Sequence, residues 1–456
     1  MSNNCNCPAL IISAPSSGSG KTTITAAIAT YHRLQGKDVR VFKTGPDFID
    51  PMILTKASGN PVYQLDLWMV GEQNCRELLF EAAQQADLIL IEGVMGLFDG
   101  DPSTADLSLF FDIPVLAIID GSAMAQTFGA LALGLQQYKP ELKFAGVIAN
   151  RIASERHAEM IRDSVPKSIG IFDVFMRDNE ISLPERHLGL VQADELHDID
   201  EKLQKAASKI ANTSLSQLPE VVHFSCPETT NTYNDNPLAG KRIIIAKDLA
   251  FNFLYQANLR LLKQLGAELV FTSPMHDSCL PDGDALYFPG GYPELYANQL
   301  SENHSFISSV KHFALQDKPL LAECGGMLYL LDQLTVLEEK NKEKTYNMAG
   351  VLSGSGEMKK KLSAIGQQYA EFVNHSPTQT PLIENKTEKQ QVRGHSFHYS
   401  TANIEIKPVI HTQYYSKKIQ GKAVYLQNNF LASYMHWYFP SNVEFFVNFF
   451  LNKPIK

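Results

Sequence analysis

Residues 9–23, ALIISAPSSGSGKTT, join an apolar run to a glycine- and serine-rich turn that leads into a helix-like segment. The apolar positions of residues 22–34 have helical spacing. Further apolar runs, each followed by a segment with helical spacing, lie at 39–45, 87–94, 113–120 and 144–150. Continuous apolar runs are typical of strands covered on both faces, and their alternation with helices predicts a parallel α/β sheet.

The turn between the first strand and the first helix has the composition of a phosphate-binding loop. Glycines permit a tight turn whose N–H groups converge on phosphate oxygens, a lysine adds positive charge, and a threonine hydroxyl can ligate Mg²⁺. Pro15 stands where the G-x-x-x-x-G-K-[ST] pattern has its first glycine, so the match is imperfect. We predict a P-loop NTPase-type domain whose ATP-binding residues include Gly18, Gly20, Lys21, Thr22 and Thr23.

Carboxylates follow two of the predicted strands. Asp47 and Asp50 come directly after the strand that ends near Lys43, and Glu92 and Asp99 end or follow a later strand. In open parallel sheets ligands bind at the carboxyl ends of the strands, so these side chains can converge on the phosphate loop. Hard oxygen ligands beside phosphates suit Mg²⁺, and we predict Thr22, Asp47 and Glu92 as its ligands. Asp47, Asp50 and Asp99 are predicted to serve substrate binding or phosphoryl transfer.

The second half again alternates predicted strands with helix-like segments, with apolar runs at 241–246, 267–273, 285–291 and 318–324. Cys324 lies between the last of these strands and a helix-like segment, where the helix N-terminus is expected to favour its thiolate. Gly290, Gly291 and Gly325 are predicted to supply oxyanion-binding N–H groups. His436 is predicted to be the base that the Cys324 nucleophile requires.

Length and composition limit the kinds of protein that fit. The chain has 456 residues, of which 44% are hydrophobic and 20% charged, as expected of a folded protein of two or three domains. Its net charge of −9 argues against a nucleic-acid binder that works by bulk charge. No apolar run approaches membrane-spanning length, and six cysteines in so long a chain indicate a reducing, cytoplasmic setting.

The domain organisation follows from a change in composition between about 197 and 240, where Pro, Asn, Thr and Ser accumulate. We predict a P-loop, ATP-binding domain over 1–200, a linker over 201–240 and a second α/β domain over 241–456. The polar, Lys- and Gln-rich region 355–392 is interpreted as a surface excursion of the second domain.

Six segments carry a resemblance to a known family: KTGPDFIDP (43–51), EGVMGLFDG (92–100), LPERHLGL (183–190), FPGGYPE (288–294), AECGGM (322–327) and GHSFHYS (394–400). The N-terminal half resembles the dethiobiotin-synthetase-type ligases. The C-terminal half resembles class I-like glutamine amidotransferases of the cobyric-acid-synthase group. Over nearly its whole length, the chain is similar to the cobyrinate a,c-diamide synthase family, which implies a glutamine amidotransferase α/β domain after the P-loop domain.

The resemblance implies ATP-dependent amidation of the a- and c-carboxylates of a corrin ring, with acyl phosphates as intermediates and glutamine as the ammonia source. ATP and glutamine are the implied co-substrates, Mg²⁺ the cofactor and a corrinoid polycarboxylate the substrate. It implies neither a nucleic-acid nor a membrane partner, and it is compatible with a homodimer.

The family's functional positions fall on particular residues of this chain. Lys21 and Thr22 match the phosphate loop, and the four carboxylates match acidic positions near Mg²⁺ and substrate. Cys324 and His436 match the amidotransferase nucleophile and its partner. Asn150, in GVIANR, aligns with a position that contacts adenine in related ligases. Arg186 and Arg151 are candidates to bind substrate carboxylates.

The chain also departs from the family pattern. Ala322 replaces the first glycine of the nucleophile turn, which implies a less strained turn. Tyr438 stands where many amidotransferases have the glutamate of a Cys-His-Glu triad, so we predict a Cys-His dyad. Phe48 replaces a tyrosine of the substrate motif and removes one hydroxyl group. His395 and His398, in GHSFHYS, have no assigned chemistry.

Other functions remain open at this stage. The same reaction on hydrogenobyrinate or on a nickel-containing sirohydrochlorin requires identical chemistry. Cobyric acid synthases lack the DFIDP and RHLGL patterns. Nucleotide switches of the partitioning type resemble the first half, but they carry an additional lysine in the phosphate loop and have no amidotransferase half.

Overall fold

A computed structural model describes residues 4–186, 189–227, 235–338, 342–373, 389–417, 419–427 and 429–453. The chain divides into two compact units, Met1–Thr230 and Asn231–Lys456. Each unit has its own sheet and hydrophobic core, and the predicted α/β class is confirmed in both. No helix within the described ranges is long and apolar enough to cross a membrane.

The first unit alternates strands and helices along the chain. Its strands are β1 (Asn4–Ser13), β2 (Val39–Thr44), β3 (Tyr63–Leu65), β4 (Leu88–Glu92), β5 (Val115–Asp120), β6 (Phe144–Ile152), β7 (Ile171–Met176), β8 (Glu185–Arg186), β9 (Gly189–Leu190) and β10 (Val221–Ser225). Its α-helices are α1 (Lys21–Leu34), α2 (Ile49–Ser58), α3 (Glu72–Ala83), α4 (Thr104–Phe111), α5 (Thr127–Gln137), α6 (Glu155–Ser164) and α7 (Ile199–Ile210).

Strand order places the predicted ligand-binding residues at one edge of this sheet. The main sheet runs β3-β2-β4-β1-β5-β6-β7, and every neighbouring pair along that path is parallel. Buried Ile, Leu and Val side chains cover both faces of its central strands, as the continuous apolar runs predict. Because β1, β2 and β4 are neighbours, the segments that follow their carboxyl ends lie close together.

Part of the segment predicted as a linker, 201–240, is built into the first unit. Helix α7 packs against α1 and contributes Leu203, Ala206 and Ile210 to the core. Strand β10 pairs antiparallel with the first half of β1, with Cys7 opposite Val222. The polar composition misleads here because α7 exposes a charged face while its apolar residues recur at helical spacing.

The second unit has a mixed sheet. Its strands are β11 (Arg242–Ala246), β12 (Glu268–Thr272), β13 (Ala285–Phe288), β14 (Leu320–Glu323), β15 (Leu331–Leu337), β16 (Glu343–Asn347), β17 (Leu352–Met358), β18 (Ala364–Val373), β19 (Lys389–His398), β20 (Ser400–Ile404), β21 (Ile410–Tyr414), β22 (Gln420–Gln427), β23 (Phe430–Ser433) and β24 (His436–Trp437). Its α-helices are α8 (Gln256–Gln264), α9 (Ala297–Glu302), α10 (His304–Ala314), α11 (Gly325–Leu330) and α12 (Val443–Phe450).

The parallel core of this sheet continues into antiparallel strands. The order is β12-β11-β13-β14-β23-β22-β21-β18-β19-β24, and a smaller sheet runs β16-β15-β17-β20. The interpretation of 355–392 as a surface excursion is wrong for β18 and for the part of β19 before residue 393. Ala370, Phe372 and Val392 are buried core residues there, and β19 pairs with the strand that carries His436. Residues 374–388 of that region lie outside the described residues.

Replacing Leu203 by alanine tests whether α7 is part of the first unit's core. Leu203 is buried, so Leu203→Ala is expected to lower the free energy of unfolding by about 2–5 kcal/mol. Gln204→Ala is the matched control, because Gln204 is exposed on the same helix. Urea unfolding curves measure both, and equal midpoints for the two variants would contradict a packing role for α7.

Candidate active sites

The phosphate loop of the first unit is a close-packed turn. Gly20 has a φ of 95°, and a Cβ at this position would lie 2.3 Å from Asn150 Nδ2. Asn150 Nδ2 donates a hydrogen bond to the Ser19 carbonyl at 2.9 Å, so the end of β6 supports the loop. Gly18 also has a positive φ, 77°. The loop therefore requires glycine at residue 20, and an adenine contact by Asn150 stays a prediction.

Lys21 connects this loop to the segment after β4. Its Nζ donates to the carbonyl oxygens of Met95 at 2.7 Å and Ser16 at 3.2 Å. The side chain is buried, and burial together with the charge of Lys43 lowers the pKa of Lys21 to about 8. Lys21 thus lies at the first turn of α1, beside Thr22 and Thr23, where a nucleotide's phosphates would meet the helix N-terminus.

A buried ion cluster lies beside the loop, and its centre, Lys43, was not among the site residues predicted from the sequence. Lys43 Nζ donates to Glu92 Oε1 and to Asp50 Oδ2, both at 2.7 Å, and lies 3.6 Å from Asp47 Oδ2. Glu92 Oε1 also accepts a hydrogen bond from the Thr22 hydroxyl at 2.9 Å. Three of the four predicted carboxylates therefore gather around one ammonium group at the phosphate loop.

The pKa values in this cluster show how charge is distributed. Burial raises the pKa of Glu92 to about 7, and burial and the Asp50 charge raise that of Asp47 to about 8. Burial acts in the same direction on Asp50, but the charge and hydrogen bond of Lys43 outweigh it and lower the pKa. The carboxylates likewise outweigh burial at Lys43 and raise its pKa. Asp50 and Lys43 are therefore the firmly charged pair.

Two predicted carboxylates also have local structural partners. Asp47 Oδ1 accepts hydrogen bonds from the N–H groups of Ile49 and Asp50 at the start of α2. Its other oxygen, Oδ2, is the one that lies near Lys43. Asp99 Oδ2 accepts from the Gly96 N–H at 3.0 Å, within its own loop, and lies outside the Lys43 cluster.

The protein oxygen atoms near the loop suit a hard cation only if phosphate oxygens supply the remaining ligands. No group of three or more His, Cys, Asp or Glu side chains in the described parts of the chain is placed to hold a metal ion. Glu92 Oε2, however, is buried and has no hydrogen-bond partner, and the Thr22 hydroxyl lies on the other oxygen of the same carboxylate. Mg²⁺ commonly binds through one or two protein oxygens together with substrate phosphates and waters.

The two candidate substrate arginines differ in what can be described. The backbone of Arg186 lies in β8, which pairs with β9, and its side chain lies outside the described residues. Arg151 has a φ of 61°, and its Nη1 donates to Asp120 Oδ2 at 2.7 Å. Its charge is therefore already paired within the unit.

The second unit places Cys324 at a sharp turn between β14 and α11. Cys324 has a φ of 43°, a strained value for a residue other than glycine, and its N–H donates to the Ser433 carbonyl at 2.8 Å. A Cβ at Gly325 would lie 2.8 Å from Pro293 Cδ and 3.0 Å from Gly291 N, so the FPGGYPE segment packs directly against the turn. The turn is thus strained at Cys324, although Ala322 replaces the first glycine of the family pattern and a less strained turn was expected.

His436 lies against the same glycine-rich segment. A Cβ at Gly290 would lie 2.1 Å from His436 Cε1, so any larger residue there would displace the ring. The Gly290 carbonyl accepts a hydrogen bond from the Phe253 N–H at 3.0 Å, which fixes the segment from the other side. The fold thus brings Cys324, His436 and the predicted oxyanion glycines to one place.

Burial keeps both members of the predicted dyad neutral. Burial and the charge of Glu294 raise the pKa of Cys324 to about 12, whereas burial and His395 lower the pKa of His436 well below its usual value. The hydrogen bond from the Gly325 N–H favours the thiolate, as the sequence predicts for a helix N-terminus, but burial outweighs it. The pair is therefore a thiol beside an unprotonated imidazole.

The two histidines of GHSFHYS have different surroundings. The His395 ring stacks on His436 with 5.0 Å between centroids, and His395 Nδ1 lies 2.7 Å from the Tyr255 hydroxyl. The His398 ring stacks on Tyr434 at 3.7 Å, and its Nδ1 donates to the Ser400 carbonyl at 2.9 Å. His395 therefore helps to orient His436, whereas His398 supports Tyr434.

Glu323 is a further residue that sequence reasoning missed. Glu323 Oε1 accepts the N–H of Trp437 at 2.9 Å, and Oε2 accepts the hydroxyl of Tyr287 at 2.8 Å. The glutamate beside the nucleophile thus holds the residue next to His436, while Tyr438 packs its ring against Tyr255. An acidic residue at the end of an otherwise apolar strand, as in LLAEC, is the signal that could have identified Glu323.

Two family models match successive parts of the chain. The model of a CobQ/CobB/MinD/ParA nucleotide binding domain matches residues 10–191, and that of a CobB/CobQ-like glutamine amidotransferase domain matches residues 242–443. The chain is 53% identical over 437 residues to a hydrogenobyrinate a,c-diamide synthase of Stutzerimonas stutzeri, covering 96% of this chain and 97% of that protein. The chain belongs to the a,c-diamide synthase family.

Two further members illustrate the range of the family. A hydrogenobyrinate a,c-diamide synthase of Pseudomonas aeruginosa is 49% identical, with 96% of each chain covered. A cobyrinate a,c-diamide synthase of Herminiimonas arsenicoxydans is 44% identical, covering 95% of this chain and 94% of that protein. Membership in the a,c-diamide synthase family makes the chain a carbon–nitrogen ligase with glutamine as the amide donor, as the sequence predicts.

Replacing Glu323 by glutamine tests its role through the pH dependence of stability. Burial raises the pKa of Glu323 to about 8, above its unfolded value, so the folded state holds a proton that the unfolded state releases. The contribution of Glu323 to the free energy of unfolding is fully present below about pH 4.5. It decreases as the pH rises towards 8, by up to roughly 1.4 kcal/mol per pH unit.

Glu323→Gln is expected to remove this slope, so urea unfolding at pH 5 and pH 8 should differ less for the variant than for the natural chain. Glu343→Gln is a matched control, because Glu343 is exposed. An unchanged slope in Glu323→Gln would contradict a protonated Glu323.

Proposed function

We propose that the chain converts cobyrinate to its a,c-diamide, using ATP and glutamine, in cobalamin biosynthesis. The observation that carries the proposal is the Lys43 cluster, in which carboxylates of the DFIDP segment and Glu92 meet at the phosphate loop. The names of the relatives supply the substrate: a corrin-type polycarboxylate amidated at positions a and c. Hydrogenobyrinate is the second candidate, because the relatives at 53% and 49% identity carry its name.

The ligase half-reaction needs an activated carboxylate. An oxygen of the substrate carboxylate attacks the γ-phosphorus of ATP, ADP leaves, and the acyl phosphate that forms has phosphate as a good leaving group. Both reactants are anions, so positive groups must offset their repulsion. Lys21 and the loop N–H groups at Gly18 and Gly20 serve the phosphates, while Lys43 holds Asp47 and Asp50 in place for substrate binding.

The residues around the loop also suit the implied cation. Thr22, Asp47 and Glu92 would hold Mg²⁺, with Glu92 Oε2 as the oxygen that has no hydrogen-bond partner in the fold. Mg²⁺ bound with ATP supplies charge neutralisation between the phosphates. Arg186 and Arg151 remain proposals for the other carboxylates of the substrate, as do the adenine contact of Asn150 and the role of Asp99.

The glutaminase half-reaction uses the neutral dyad. The Cys324 thiol transfers its proton to His436 as sulfur attacks the amide carbon of glutamine, and the N–H groups at Gly290, Gly291 and Gly325 are proposed to stabilise the oxyanion. The leaving ammonia takes the proton from His436, and water then hydrolyses the thioester to glutamate. Ammonia attacks the acyl phosphate, and phosphate leaves. Because free ammonia is mostly protonated near pH 7, we also propose a sheltered passage for it.

Replacing Cys324 by serine separates the two half-reactions. Cys324→Ser is expected to abolish glutamine-dependent amidation and to retain amidation with added ammonium salt, because only ammonia release requires the thiol. Cys279→Ser is the matched control, since Cys279 is an exposed free cysteine. Loss of both activities in Cys324→Ser alone would contradict the two-site mechanism.

Mass spectrometry identifies the substrate. Purified protein is incubated separately with cobyrinate, hydrogenobyrinate and nickel sirohydrochlorin, each with ATP, Mg²⁺ and glutamine. We expect cobyrinate to show two successive mass decreases, each the replacement of a hydroxyl group by an amino group. The same decreases only with another ring would reassign the substrate. No product from any ring, together with no release of glutamate from glutamine, would favour a partitioning-type nucleotide switch.

A further inference from the structure

Two side chains of opposite charge lie near Cys324, and the reaction steps described above use neither of them. They are Glu294, in FPGGYPE, and Lys422, in β22. Within the part of the chain that the structure describes, neither forms an ion pair. Both are partly buried. A partly buried charge without a counterion is unfavourable for the fold alone, so each invites a charged ligand group.

Packing of its own segment places Glu294 near the nucleophile. Gly291 and Pro293 lie directly against Gly325, the residue after Cys324. Glu294 follows at the start of the short 3₁₀ helix Pro293–Tyr296, which packs on α11. Burial raises the pKa of Glu294 to about 7, and its charge in turn raises the pKa of Cys324.

Strand register also places Lys422 near the turn at Cys324. Val424 in β22 pairs with Ser433 in β23, and the Ser433 carbonyl accepts the Cys324 N–H. Lys422 Nζ lies 5.7 Å from the ring centroid of Tyr434, the residue after Ser433, in a cation–π contact. Its charge lowers the pKa of Cys324, the reverse of the effect of Glu294.

We propose that Glu294 and Lys422 bind the amino-acid end of glutamine, with Lys422 pairing the α-carboxylate and Glu294 the α-ammonium group. This proposal rests on the glutaminase half-reaction above and assigns its donor specificity to two residues. A zwitterion satisfies both side chains at once, and its aliphatic chain then carries the amide towards Cys324. A donor that lacks either charged group leaves one partly buried charge unpaired, which the site penalises.

Two glutamine analogues test each residue separately. 4-Aminobutanamide lacks the α-carboxylate, and glutaramate lacks the α-amino group. Release of ammonia from each donor gives kcat/KM for the natural chain, for Lys422→Met and for Glu294→Gln. Lys417→Met and Glu343→Gln are matched controls, because both residues are exposed in the second unit.

The natural chain and the controls are expected to prefer glutamine over both analogues. Lys422→Met should lower kcat/KM for glutamine by about 10- to 100-fold, mainly through KM, and should no longer discriminate glutamine from 4-aminobutanamide. Glu294→Gln should likewise lower kcat/KM for glutamine and should no longer discriminate glutamine from glutaramate. Lys422→Arg, which keeps the charge, should recover most of the preference for glutamine.

The outcomes separate this proposal from the function on which it rests. Equal loss for all donors in each variant, or no loss with glutamine, would overturn the role of these residues. A natural chain that releases no ammonia from glutamine would instead overturn the glutaminase half-reaction. If Lys422→Met fails to fold, the comparison of Lys422→Arg with the natural chain over the same donors decides, and a lost preference for glutamine in that variant would count against the proposal.

Discussion

The ligase site depends on the buried ion pairs that the Lys43 ammonium group forms with Glu92 and Asp50. Lys43 is almost fully buried and makes the hydrogen bonds that allow Glu92, at the end of β4, and Asp50, in the first turn of α2, to lie beside each other. Removing one partner of a buried ion pair typically costs about 3–5 kcal/mol, because the remaining charge is buried away from water without a counterion. The carboxylates that would meet Mg²⁺ and substrate can therefore gather at the phosphate loop only while this lysine is present.

The glutaminase site follows the opposite rule, because burial there removes charge. Cys324 is held as a thiol and His436 as a neutral imidazole, and His395 adds a second neutral ring against the first. The charged side chains near this site, Glu294 and Lys422, act on the pKa of Cys324 in opposite directions. The ligase site has to stabilise anions before the reaction begins, whereas the glutaminase site has to generate a nucleophile only when a donor is bound.

Local sequence patterns are enough to predict what depends on neighbours in the chain. The strand, turn and helix around Lys21, the turn at Cys324 and the acidic DFIDP segment are read from consecutive residues, and the structure brings most of the predicted side chains together. Lys43 and Glu323 escape such reasoning because their roles depend on which strands become neighbours, β2 with β4 and β14 with β23. Composition misled at α7 and β18, where buried residues recur within polar segments.

Because burial keeps Cys324 as a thiol, this cysteine is a weak nucleophile while no donor is bound. Glu294 raises the pKa of Cys324 and Lys422 lowers it, so a bound ammonium group on Glu294 would favour the thiolate and a bound carboxylate on Lys422 would oppose it. Because the effect of Glu294 is the larger of the two, a donor that pairs both residues would on balance favour the thiolate. A donor without the ammonium group, such as glutaramate, would leave the Glu294 charge in place and the thiolate disfavoured. Under the proposal above, Glu294 would thus link recognition of the ammonium end of glutamine to activation of Cys324.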